Sequence, residues 1–163
     1  FRATIHHEIY HLIDWNELRG YATKDLEWSS LNPPGGRYIG HYATERVPGY
    51  DVGRPPRGFA SHYATTFPME DKAEVFKHLM MPRQRTALLQ RAAQDASLRA
   101  KIGLLVHRAI RSGFEPDTEL AGYAEPERLC ATIAEASGLA SDFAKCPLRT
   151  PTVTAERTRS PRP

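Results

Sequence analysis

Residues 1–14 read FRATIHHEIYHLID, and the fold turns on how they are taken. Ile5, Ile9, Leu12 and Ile13 recur at helical spacing, Thr4 is placed to cap the start and Gly20 to end it, so a helix is predicted over about residues 4–19. Side chains four apart on a helix point the same way, so His7 and His11 present two imidazoles to one point, while Glu8 stands about 100 degrees round, beside it. Two histidines and a carboxylate in H-E-x-x-H order are what zinc hydrolysis uses: nitrogens hold the ion, a third protein ligand completes the set, and a water takes the fourth position. Glu8 is then placed to take the proton of that water. The competing reading is a solvated helix face with fortuitous histidines, and five letters leave both open. His6 lies off this face and is read as a bystander.

The choice depends on a third ligand. A chain of the H-E-x-x-H-x-x-G-x-x-H type would have glycine at position 14 and histidine at 17; Asp14 and Glu17 exclude it. The remaining common solution is a glutamate on a second, downstream helix, with another acid one turn later to hold a ligand histidine from behind. Thr66 and Pro68 open such a helix, which runs through MEDKAEVFKHLM and stops at Pro82. Glu70 is the expected third ligand, with Asp71 as the fallback and Glu74 in the supporting position. Asp14 completes an i, i+4, i+7 face with His7 and His11; it is either a supporting partner of the metal ligands or a charge near the helix end. His78, one turn past Glu74, is read as part of a polar face.

These motifs resemble the gluzincin class of zinc peptidases, and within it the lethal-factor-like branch with its bacterial zinc-binding metallopeptidase relatives. Residues 7–14 look like that branch's H-E-x-x-H-x-x-D helix, and Glu70-x-x-Ala73-Glu74-x-Phe76 looks like its E-x-x-A-E-x-F helix, in which the first glutamate binds zinc. Tyr63 stands seven residues before Glu70, where the family has a tyrosine that stabilises the transition state. The stretches WSSLNPPGGRYIG and GFASHYATTFPMEDKAEVF are similar in wording as well as spacing, and the likeness runs from Thr4 to about Gly113. It implies one Zn2+ per chain on His7, His11 and Glu70, with Glu8 and Tyr63 catalytic and Glu74 and Asp14 in support. The implied activity is a zinc-dependent endopeptidase acting on peptide or protein substrates. The other function class kept open is a non-catalytic zinc-binding fragment whose metal staples two helices and whose loop serves recognition; a general base at Glu8 argues against it.

Two features depart from the family. The resembled enzymes have a twisted sheet before the metal helix, whose edge strand binds extended peptide. The expectation is therefore the C-terminal, helical part of a zincin-like α+β domain, mainly α with a long irregular loop and with that sheet missing ahead of Phe1. Such a piece of a longer protein should be short of cover on Ile5, Ile9, Leu12 and Ile13. Tyr10 also replaces the glycine common at the fourth position of the pentapeptide and should crowd the back of the helix.

The rest of the chain sets bounds. With 163 residues, 40% apolar and 25% charged, it has the composition of one ordinary globular domain. No apolar run is long enough to cross a bilayer. The net charge of +3 is concentrated from Lys145 onward, where five basic residues face one acid for a net of +4, so the remainder sums to −1 and lacks the footprint of a nucleic-acid-binding domain. No leader is legible, so the compartment stays open, with only the resemblance favouring an extracytoplasmic one. Residues 28–66 are broken by Pro33-Pro34-Gly35-Gly36, Pro48-Gly49 and Pro55-Pro56 and read as a long irregular loop. It holds two identical tetrapeptides, 41–44 and 62–65, read as coincidence. Further helices are predicted over 84–93, 97–111 and 126–137, with Leu98, Ile102, Leu105, Val106 and Ala109 as one buried stripe. The metallopeptidase domain is placed at 1–114 and an extension at 115–163, disordered after 146. Cys130 and Cys146 are read as buried or idle thiols, with a single bridge between them left open but unsupported by the spacing.

Overall fold

The computed structural model of the chain describes residues 1–18, 25–40, 54–138 and 146. Within them the regular structure is helical: α1 (Arg2–Leu18), α2 (Leu26–Ser29), α3 (Pro68–Met80), α4 (Pro82–Ala92), α5 (Ala96–Arg111), α6 (Thr118–Ala124) and α7 (Pro126–Ala136), with one 3-10 turn at Tyr63–Thr65. No strand occurs among the described residues.

Local chemistry accounts for the boundaries. Pro68 and Pro82 sit in the first turns of α3 and α4, where a missing N–H costs nothing and the fixed φ suits the helix. Pro82 therefore both ends α3 and starts α4, two residues earlier than the periodicity suggests. Asp95 accepts from the Leu98 amide to cap α5, and Asp117 from the Leu120 amide to cap α6. Gly113, at φ 88°, turns the chain after α5. Thr4 caps nothing, since α1 begins at Arg2 and takes Thr4 into its first turn.

The core lies between α3 and α5. The predicted stripe on α5 is fully buried, and it meets Val75, Phe76 and Leu79 of α3. α7 crosses α5 at Gly103, where an added Cβ would stand 2.6 Å from both Leu129 Cδ1 and the Tyr123 carbonyl oxygen, so only glycine permits this approach. Leu120 and Ala124 of α6, a helix missed in the periodicity, join the same core. The helices beyond residue 114 thus pack as part of one body.

The segment predicted as irregular contributes more than expected. Trp28 and Leu31 at α2, with Phe59, Ala60 and Ala64 further on, are all buried. Residues 39 and 40 bond through their amides to the carbonyls of Thr65 and Thr66, laying this piece along the 3-10 turn. The first tetrapeptide and Pro48-Gly49 lie outside the described residues, as does the chain beyond 146. Cys130 and Cys146, expected as idle thiols, form a disulfide with Cα atoms 5.7 Å apart. The bridge ties residue 146 to α7, a proximity that sequence spacing could not reveal.

The expected lack of cover on the apolar side of α1 is found at Ile5, Ile9 and Leu12. His7, Tyr10 and Asp14 are buried on the side turned to α3 and Ile13 is half-buried; Ile5, Ile9 and Leu12 are exposed. Tyr10 occupies the back of the helix against Phe76, ring centroids 5.1 Å apart.

Candidate metal centre

α1 lies against α3, and the contact between them is polar where the two helices carry their motifs. His7 and His11 are one turn apart on the inner face of α1, and Glu70 is in the first turn of α3, set there by Pro68. His7 Nε2 stands 3.0 Å from Glu70 Oε2 and 3.1 Å from His11 Nε2, and His11 Nε2 stands 3.5 Å from the same carboxylate oxygen. Zinc bonds of about 2.0 to 2.1 Å at tetrahedral angles require donors about 3.3 Å apart. The observed triangle is close to that size, so the three side chains are grouped as a candidate zinc site. It is the one group of three such donors that converges among the described residues.

Behind the triangle, His7 is oriented by Glu74, whose Oε1 lies 3.1 Å from His7 Nδ1. A proton held there leaves the Nε2 lone pair facing the other two donors, the arrangement that fixes a ligand histidine. Glu74 is itself held: Ser61 Oγ donates to Oε2 at 2.6 Å and Lys77 Nζ to Oε1 at 2.5 Å. Burial raises the Glu74 pKa, but the hydrogen bond to His7 and those from Lys77 and Ser61 outweigh it and bring it to about 2. For His7, burial lowers the pKa, and hydrogen bonds to Glu70 and Glu74 overcome it to carry it up to about 9. Without an ion His7 is thus an imidazolium between two carboxylates, and a metal entering the triangle competes with that proton.

The triangle opens onto a groove of about 630 Å³ lined by His7, Glu8, His11, Leu12, Trp15, Tyr63, Met69 and Glu70. Glu8 is exposed there, open to water. Tyr63, from the 3-10 turn, is 43% exposed with its ring 6.0 Å from that of His7, so its phenol faces the groove instead of the core.

Other expected residues go elsewhere. Asp14 is buried against Lys72 Nζ at 2.6 Å, making an ion pair between α1 and α3 instead of a contact to either histidine. Asp71 is fully buried and points away from the triangle; its Oδ2 accepts from Trp28 Nε1, Tyr38 Oη and Lys101 Nζ at 2.7–2.9 Å. It cannot serve as a fallback ligand. His78 Nδ1 contacts the Glu74 carbonyl oxygen at 2.7 Å one turn along α3, and neither it nor His6 is among the converging donors. Ser61, Lys77 and Lys72 were not singled out in the sequence. Lys77 had a signal, the i, i+3 spacing from Glu74; Ser61 had none, because its role depends on where the loop returns.

No family model, no curated protein and no solved structure matches this chain.

Proposed function

We propose that the chain is the helical part of a zincin-like metallopeptidase, a zinc-dependent endopeptidase with His7, His11 and Glu70 as ligands. The observation that carries this reading is the donor triangle, sized for a tetrahedral ion and opening on a groove that also holds Glu8. Zinc bound there would supply Lewis acidity and lower the pKa of a coordinated water towards neutrality. Glu8 takes the proton of the attacking water and passes it to the leaving nitrogen. Tyr63 donates to the carbonyl oxygen as negative charge develops on it. Glu74, fixed by Ser61 and Lys77, keeps the His7 ring in register with the other donors. A purely structural zinc normally closes its fourth position with a protein ligand, whereas three donors converge among the described residues.

Metal analysis and peptide-library cleavage test the reading together. The purified protein is expected to carry one zinc per chain, and Glu70→Ala to lose it. Glu8→Gln is expected to keep the zinc and lose about 10²- to 10⁴-fold in any peptidase rate, since it removes the base and no ligand. Near-stoichiometric zinc in Glu70→Ala, or unchanged cleavage by Glu8→Gln, would overturn the assignment.

A further inference from the structure

A second hollow, of about 430 Å³, lies away from the metal groove between residues 54–57 and the end of α4. Arg54, Arg57 and Arg91 line it, with Gln94 and Asp95. Four described arginines are sheltered from solvent: Arg85, Arg91, Arg99 and Arg108. Arg85, Arg99 and Arg108 each form ion pairs with acids. Arg91 instead spends its guanidinium on the backbone carbonyls of Phe59 and Ala60, at 2.6 and 3.1 Å. Asp95, the one carboxylate in the lining, is committed to backbone amides, Oδ2 to Gly58 and Oδ1 to Leu98. Among the described residues three guanidiniums therefore line the hollow with one carboxylate, an excess charge of +2 in a concave site. Burial lowers the Arg91 pKa, the charge of Asp95 works against that, and Arg54 adds a smaller lowering of its own.

We propose that this hollow binds a phosphate-type oxyanion, with Arg54 and Arg57 as its principal contacts and Gln94 as a neutral donor. The guanidinium fork matches phosphate geometry, and a dianion would cancel the excess charge. The volume is in the range of small-molecule sites, so the phosphate arrives free or on a small phosphorylated compound. Arg91 anchors residues 59 and 60, immediately before Ser61 and the turn bearing Tyr63, so the ligand would sit under the loop that feeds the metal groove.

Titration calorimetry of the full chain with inorganic phosphate, at fixed ionic strength, tests the proposal. Saturable binding is expected with Kd on the order of 1 mM or tighter, weakened about tenfold or more in Arg54→Gln/Arg57→Gln. Both residues are exposed, so the double variant should keep its fold, which its melting curve checks. Glu70→Ala should bind phosphate as the parent does, which separates this site from anion ligation at the metal. Tighter binding of ADP than of phosphate assigns the site to phosphorylated small molecules, and equal binding assigns it to the free ion. No saturable binding at about 10 mM phosphate, full affinity in the double variant, or loss of binding in Glu70→Ala would each overturn the proposal.

Discussion

Tyr63 and Lys101 show how far a residue's type falls short of its role. Most tyrosines in a chain of this composition pack, yet Tyr63 is 43% exposed at the rim of the metal groove. Lysines usually reach water, yet Lys101 is wholly buried, with Nζ 2.7 Å from Asp71, 2.8 Å from the Gly58 carbonyl oxygen and 4.0 Å from the centre of the Phe59 ring. Its burial is tolerable because carboxylate, carbonyl and aromatic face replace the water it loses. By fixing Asp71, this cluster also fixes the rotation of the first turn of α3, and so the direction of the neighbouring Glu70. For Tyr63 the proposed function carries a prediction. Tyr63→Phe is expected to retain zinc and to lower kcat by about 10²-fold, as removal of one oxyanion donor does. A variant with unchanged kcat would leave Tyr63 as a wall of the groove.

Between elements, the same two helices that meet at the candidate metal site are braced a second time. Lys72 of α3 pairs with Asp14 of α1 at 2.6 Å and with Asp25 at 3.1 Å, and Asp25 continues to Arg108 of α5 at 2.6 Å. This buried chain ties α1, the cap of α2, α3 and α5 together. Its acid sensitivity follows from Asp25. Burial raises that carboxyl's pKa, but bonds from Arg108 and the Trp28 amide, with the charge of Lys72, outweigh it and lower the pKa from 3.8 to about 2. A depressed carboxylate stabilises the fold fully above its ordinary pKa and loses that contribution as pH falls through the folded value. The loss should therefore occur between about pH 4 and pH 2 and amount to about 2 kcal/mol. Urea denaturation across that range should show it, and Asp25→Asn should flatten the profile while lowering stability at neutral pH. An equal acid dependence in the variant would place the sensitivity elsewhere.

At the scale of the molecule, one face is left uncovered. Phe1, Ile5, Ile9, Leu12 and Trp15 lie along the outer side of α1 and are 40–100% exposed. They account for most of the large apolar side chains that are exposed among the described residues, and an apolar stripe of this kind promotes association. The isolated chain is expected to self-associate with rising concentration and to bind an apolar dye. Ile5→Lys/Ile9→Glu, which leaves the metal groove untouched, should reduce both. A parent chain that stays monomeric at high concentration, with no dye binding, would contradict this. The opposite end is closed differently: α7 is held to residue 146 by the disulfide, and a loop of this length contributes about 3 kcal/mol by restricting the unfolded chain.

Sequence alone determined what depends on near neighbours. Helical spacing put His7 and His11 on one side of α1 and Glu70 one turn before Glu74, and proline placement marked the start and the end of α3. These follow from backbone geometry that repeats every few residues. Tertiary structure decided whatever needed a long-range partner. It turned Tyr10 and Asp14 inward and left Ile5 and Leu12 outside, because the face α1 buries is set by what α3 offers, Lys72 and Phe76 included. It also sent Asp71 to Lys101 and Ser61 to Glu74, and brought Cys130 to Cys146. Those pairings join residues 13 to 30 positions apart along the chain, where no local periodicity carries information and only the packed core brings the groups within bonding distance.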